Sequence, residues 1–264
     1  MTEPKDHLRS DPANGYEIND LAKEDAWRMF RIIGEMVSGF DRLSGIEPAI
    51  TIYGSARVRP GDPLYETTVE IARELGNLGF AIVTGGGPGL MEAANKGAHE
   101  AGVTSVGLNI ELPEEQDPNP YSTLTISFNH FFARKVMLAK YATAFIAMPG
   151  GIGTLDELTE ILCLIQTHKM KPFPVIVYDS SYWSGLIEWL KAETLTGGFI
   201  SEEDLGLLVV CDSVADVVTT VHEWYNRQRL TMKPAIDMVK RPQRRSAGAR
   251  GSGRTRTGKK EGPK

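Results

Sequence analysis

From residue 49 onward, short apolar runs alternate with stretches in which apolar positions recur three or four residues apart. The runs are Ala49–Tyr53, Phe80–Val83, Ser105–Ile110, Leu124–Phe128, Thr143–Met148, Pro174–Tyr178 and Leu207–Val210. Their shortness and near-continuous apolarity predict strands buried on both faces. Between most of them the helical period predicts helices over about 64–78, 89–101, 131–142, 154–166, 182–195 and 213–226. Strands separated by helices build a parallel sheet covered on both sides. The predicted fold is α/β, a single Rossmann-like, doubly wound parallel sheet with helices on both faces. Such sheets bind ligands beyond the carboxyl ends of their strands.

The flanks follow other patterns. Leu21, Trp27, Phe30, Ile33, Met36, Val37 and Phe40 recur at helical spacing, so 19–45 is expected to hold an amphipathic helix packed on the body or on a partner subunit. Residues 1–18 lack periodicity and are expected to be disordered. The folded domain is predicted over 46–232. From 233 to 264 periodicity fades into a basic tail of Arg, Lys, Gly, Ser and Thr, expected to be disordered.

Three strand ends carry glycine turns: Gly54-Ser55-Ala56-Arg57, Thr84-Gly85-Gly86-Gly87-Pro88-Gly89-Leu90-Met91-Glu92, and Pro149-Gly150-Gly151-Ile152-Gly153-Thr154-Leu155-Asp156-Glu157. Each lets a ligand approach bare backbone, and a helix start offers N–H groups at the positive end of its dipole. Three on one edge point to a cleft where one alone could be a tight turn. None fits GxGxxG or GxxxxGK[ST], so a dinucleotide cofactor or a P-loop nucleotide has little support. A single phosphate fits.

Charge and cysteine content narrow the setting. The chain of 264 residues carries 29 basic and 34 acidic residues. Ten of the basic residues and one of the acids lie in 240–264, leaving 19 basic and 33 acidic residues in an acidic body. The tail has no aromatic residue, so weak phosphate contact is the most nucleic-acid binding it implies. Cys163 and Cys211 stand apart in apolar runs and read as reduced core thiols. No run reaches the ~20 apolar residues of a membrane span. The N-terminus is polar and lacks a signal-peptide pattern. A cytoplasmic protein is expected. The five histidines form no metal-binding spacing, so no metal is expected.

Several side chains carry alternative readings. Thr154-x-x-Glu157 fits a capping box, and spacing alone favours that. In the functional alternative Thr154 and nearby N–H groups hold phosphate while Glu157, in the first helical turn, is kept ionised by the dipole. Arg134 and Lys135 are surface charges, or Arg134 forks onto an anionic group. Phe128, Phe131 and Phe132 are core, or one stacks on a base. Asn109–Gln116 reads as an acidic, solvated loop.

The second and third glycine turns, with Arg134-Lys135 between them, closely resemble the motifs of the LOG (LONELY GUY) family, whose members also carry the older label "lysine decarboxylase-like". The resemblance covers roughly 48–226 and implies a Rossmann-like fold assembled as a homodimer or larger homo-oligomer. It implies hydrolysis of the N-glycosidic bond of a purine nucleoside 5′-monophosphate, AMP or a cytokinin riboside 5′-monophosphate, to free base and ribose 5-phosphate. The family's catalytic arginine and glutamate fall on Arg134 and Glu157. Its phosphate turn falls on Gly150, Gly151, Gly153 and Thr154. Gly54, Ser55, Gly85, Gly86, Gly87, Gly89, Met91, Glu92, Lys135 and Glu160 are expected around the substrate, with no cofactor. Phe131-Phe132 replaces a Met-His of plant members, and Asn109–Gln116 looks like a bacterial subgroup, so the preferred base stays open. The alternative is a non-catalytic nucleotide or cofactor carrier of the same fold. Decarboxylation through pyridoxal phosphate would need a Schiff-base lysine, and none is singled out.

Overall fold

A seven-stranded, all-parallel sheet in the order β4-β3-β2-β1-β5-β6-β7 organises the chain. The computed structural model describes residues 25–112 and 118–237, with side chains over 27–228 of that range. The strands are β1 (Ala49–Tyr53), β2 (Ala81–Thr84), β3 (Ser105–Ile110), β4 (Leu124–Phe128), β5 (Ala142–Ala147), β6 (Val175–Tyr178) and β7 (Leu208–Cys211). The central strands β1 and β2 are buried at every position, as their unbroken apolar runs predict. The helices are α1 (Asp25–Arg42), α2 (Pro63–Asn77), α3 (Leu90–Glu100), α4 (Phe131–Lys140), α5 (Ile152–Gln166), α6 (Ser180–Trp189), α7 (Glu202–Leu205) and α8 (Val214–Asp237). A π-helical turn, Leu190–Leu195, prolongs α6.

Two apolar cores lie on opposite faces of the sheet. One gathers Leu43, Phe128, Met137, Phe145, Leu158, Ile161 and Trp183, from the α1, α4, α5 and α6 side. The other gathers Tyr65, Ile71, Leu75, Leu90, Ala94, Val217 and Val221, from the α2, α3 and α8 side. Burying one such side chain contributes roughly 1.5–3 kcal/mol, so these layers supply the main driving force. The strand order runs outward from β1 in one direction through β2 and in the other through β5. β1 and β5 therefore flank the topological switch point, where doubly wound folds bind ligands.

Several local expectations change. The helix expected over 213–226 runs to Asp237. By contact density the chain divides into Met1–Arg227, which holds the sheet, and Gln228–Lys264, whose described part is helical backbone. Cys211 is buried as expected, but Cys163 is exposed on α5; an apolar sequence neighbourhood did not fix which way the helix turned it. Phe128 is core, whereas Phe131 and Phe132 at the start of α4 are about half exposed. Of the tail expected to be disordered over 233–264, residues 233–237 are helical backbone in α8; the rest of it, 1–18 and 113–117 of the acidic loop lie outside the described residues. Among the described residues no helix is long and apolar enough to cross a membrane.

Candidate functional site

A cavity of about 780 Å³ opens over the carboxyl ends of β1 and β5, within the range usual for small-molecule sites. Its walls are the turn after β1 (Gly54–Val58) and the turn after β5 (Pro149–Thr154). Gly85 and Met91 come from the second glycine turn, and Tyr53, Arg134 and Glu157 lie deeper. Helix α5 begins at Ile152 with Gly151 as N-cap and no side chain capping it. Thr154 is therefore inside the first turn and is not the N-cap, so the capping-box reading fails. The first intrahelical bond is Leu155 N–H to the Gly151 carbonyl, 3.1 Å. The earlier N–H groups of the turn belong to residues that line the cavity, an arrangement suited to an anion. A Cβ at Gly150 would run into the Thr154 hydroxyl, so only glycine lets the turn close there. Tyr182, at the start of α6, donates its hydroxyl hydrogen to the Gly150 carbonyl from the opposite wall.

Cross-bonds fix the turns relative to one another. Ser55 N–H donates to the Pro149 carbonyl at 3.1 Å, and Leu90 N–H donates to the Ser55 carbonyl at 2.9 Å. Gly89, with φ +72°, sits so close that a Cβ would meet the Ser55 carbonyl. A buried amide network holds the middle turn from below. Thr84 Oγ1 donates to Asn95 Oδ1 at 2.6 Å and accepts from Gly86 N–H at 3.0 Å. Asn119 Nδ2 donates to Asn95 Oδ1 at 2.9 Å and to the carbonyls of Gly86 and Gly87 at 3.1 and 3.3 Å. Buried polar networks with their partners present specify one backbone geometry.

Arg134 and Glu157 meet on the floor. Arg134 Nη2 lies 3.5 Å from Glu157 Oε1, and their side chains are only 14% and 9% exposed. Helix α4 is pinned to the sheet beneath them by the buried Thr51 hydroxyl of β1, which donates to the Leu138 carbonyl at 2.7 Å. Burial pushes the Glu157 carboxyl up to about 7, against the pull of Arg134 and Lys135. This corrects the expectation of an ordinary dipole-stabilised anion: Glu157 lies beyond the first turn, which holds no acid, and desolvation dominates. Burial likewise lowers the Arg134 pKa, opposed mainly by Glu157. The pair is long for a strong salt bridge, and Arg134 Nε has no hydrogen-bond partner. Phe131 packs on the guanidinium at 5.4 Å.

The other expected residues divide. Gly54, Ser55, Gly85, Met91, Gly150, Gly151, Gly153 and Thr154 line the cavity with Arg134 and Glu157. Gly86, Gly87 and Gly89 shape the turn behind it. Glu92 instead accepts from the Tyr65 hydroxyl at 2.9 Å. Lys135 bridges Asp156 at 2.9 Å and Glu160 at 3.1 Å, tying α4 to α5. Lining residues that pattern reading did not single out are Ile52, Tyr53, Val58, Leu64, Leu138 and Tyr182. Tyr53 was hidden in an apolar strand run and Tyr182 in a helical one, so no local signal marked either. Among the described residues no group of three His, Cys, Asp or Glu side chains is placed to hold a metal ion.

Known proteins match this architecture. The family model described as "Possible lysine decarboxylase" matches residues 91–221. A cytokinin riboside 5′-monophosphate phosphoribohydrolase of rice is 32% identical over 66% of this chain and 73% of its own length. One from Arabidopsis thaliana is 29% identical over 67% of this chain and 82% of its own. Among solved structures, the molybdenum cofactor carrier protein of Chlamydomonas reinhardtii superimposes with a TM-score of 0.52 at 23% identity, over 68% of this chain and 98% of that one. The molybdenum cofactor binding protein of Rippkaea orientalis gives 0.50 at 18%, over 67% and 96%. These two likenesses concern the fold. At the identity and coverage of the rice relative, the chain belongs to the LOG family.

Proposed function

We propose that this chain hydrolyses the N-glycosidic bond of a purine nucleoside 5′-monophosphate, releasing the free base and ribose 5-phosphate. The observation that carries this is the juxtaposition of a buried Arg134–Glu157 pair with an uncapped helix start in one cavity. The phosphate sits on the N–H groups of the first turn of α5 with the Thr154 hydroxyl beside it, which places the sugar over the floor. Cleavage of C1′–N9 passes through an oxocarbenium-like ribosyl cation, as in glycoside hydrolysis. Glu157 as carboxylate stabilises that cation and takes a proton from the attacking water. The water oxygen bonds to C1′, the C1′–N9 electron pair leaves with the base, and the proton that Glu157 took from the water passes to the base, giving the neutral purine and restoring the carboxylate. Arg134 holds an anionic group of the substrate. With a pKa of about 7, Glu157 is poised near neutral pH, where acid–base groups work best.

The test is a panel of AMP and N6-substituted adenosine monophosphates, scored by released base and ribose 5-phosphate. Wild type is expected to release base, and Glu157→Gln to lose at least about 100-fold in kcat. Turnover by Glu157→Gln near the wild-type rate sinks the assignment. Tight AMP binding with no adenine released by wild type would mark the carrier reading instead.

The oligomeric partner proposed is a second copy. Trp27, Phe30, Ile33 and Val37 on α1 and Phe131 and Phe132 on α4 are half or more exposed. Large apolar residues left open on neighbouring helices mark an interface.

A further inference from the structure

We propose that Tyr53 is a positioning residue for Glu157: its buried hydroxyl supplies the hydrogen bond that holds the carboxylate when Arg134 turns to the ligand. The proposal rests on the reading of Glu157 as the reacting carboxylate. Tyr53 is the last residue of β1 and lines the cavity, yet is only 5% exposed. Its ring lies parallel to Phe145 of β5, centroids 6.4 Å apart and 4° between planes, so the hydroxyl is held at a fixed place. That hydroxyl has no hydrogen-bond partner, and leaving such a group unpaired in a fold is destabilising.

The charged groups that act on it are Glu157 and Glu160 of α5 and Arg134 of α4. Glu160 is engaged by Lys135, and Arg134 can only donate. Glu157 is therefore the acceptor open to Tyr53. Among the described residues its hydrogen-bond partner is Arg134, at 3.5 Å, and Arg134 keeps Nε unpaired on the same floor. A guanidinium so placed can turn to an anionic ligand. The carboxylate then loses its cation while Asp156 and Glu160 still repel it and Lys135 alone attracts it. Both side chains line the same cavity, and in this proposal Glu157 turns onto the Tyr53 hydroxyl, whose hydrogen is free to rotate toward it.

Tyr53→Phe removes one oxygen and keeps the stacked ring. The titration of Glu157 is followed by carboxylate infrared difference spectra, with Glu157→Gln subtracted for assignment and ribose 5-phosphate added as the occupying ligand. With ligand bound, the Glu157 midpoint in Tyr53→Phe is expected to rise by about one pH unit relative to wild type. The kcat for AMP is expected to fall about tenfold with KM within about twofold. An unchanged midpoint in the ligand-bound variant overturns the proposal. The titration needs no turnover, so a protein that releases no base yet shows the shift loses the hydrolase reading and keeps the Tyr53 assignment.

Discussion

At the scale of single residues, depth governs the chemistry of the floor. Glu157 sits almost out of contact with water, and its ordinary carboxyl pKa moves up to about 7 because the charged form is poorly solvated there. Between the unfolded value and 7, the unfolded chain has released this proton and the folded chain has kept it. Stability therefore falls as pH rises through that window, and the full cost is present above it. Glu157→Gln is expected to melt above wild type at pH 8 by an amount worth up to roughly 3 kcal/mol. The difference should vanish near pH 4. Thermal denaturation at the two pH values checks this, and a gap independent of pH would exclude Glu157 as its source. If the carboxylate is the working form, kcat/KM for AMP rises with pH along a limb centred near 7, read from a pH–rate profile. The glycine turns stood out from the apolar runs, whereas Arg134 and Glu157 became site candidates only through the family resemblance, since spacing alone favoured a capping box for Glu157. Tyr53 was not, because its hydroxyl matters only through neighbours that the fold delivers from α4 and α5.

The elements carry the geometry that those residues need. Spacing suggested Thr154 as a cap, but the cap is Gly151, three residues earlier, and the helix starts at Ile152. That shift places Thr154 in the first turn over the cavity and Glu157 on the buried side, a register no dipeptide rule encodes. Gly150→Ala is expected to raise KM for AMP at least tenfold with a smaller change in kcat, because the added methyl displaces the Thr154 hydroxyl. Gly89→Ala is the harsher change. It places a Cβ against the Ser55 carbonyl at a positive φ, and is expected to destabilise by about 2 kcal/mol or more in chemical denaturation. The strands were read nearly to the residue because burial on both faces leaves continuous apolar runs. The length of α8 and the π-helical turn after α6 were not, since helix ends depend on caps and contacts outside the helix's own period.

On the scale of the whole molecule, strand order decides where function sits. Alternation of strands and helices implied a doubly wound parallel sheet, but the strand order, and with it the reversal at β1 and β5, comes from pairing over long sequence distances. The same holds for the outer face of α1. Amphipathicity foretold the helix, and Met36 and Phe40 do pack on the core. Glu35 on that face ties α1 to the start of α4 through Asn129 Nδ2 at 3.0 Å and the His130 backbone N–H at 3.3 Å. Trp27, Phe30, Ile33 and Val37 stay open. Light scattering on the full chain is expected to give a dimer or larger assembly, and the double change Trp27→Glu, Phe30→Lys to give a monomer. A wild-type monomer at tens of micromolar would refute the second-copy reading.

The backbone bonds that run from Pro149 to Ser55 and from Ser55 to Leu90 have a kinetic consequence. They stitch the lips of the cleft into one piece, so neither wall can swing without breaking a bond to the other. A mouth built that way works as a mould and not as a jaw. Ligand capture should be a single encounter, with no slow rearrangement before or after it. Stopped-flow mixing of AMP with Glu157→Gln should give one exponential whose rate climbs linearly with concentration. A rate that levels off would reveal a hinge in these turns.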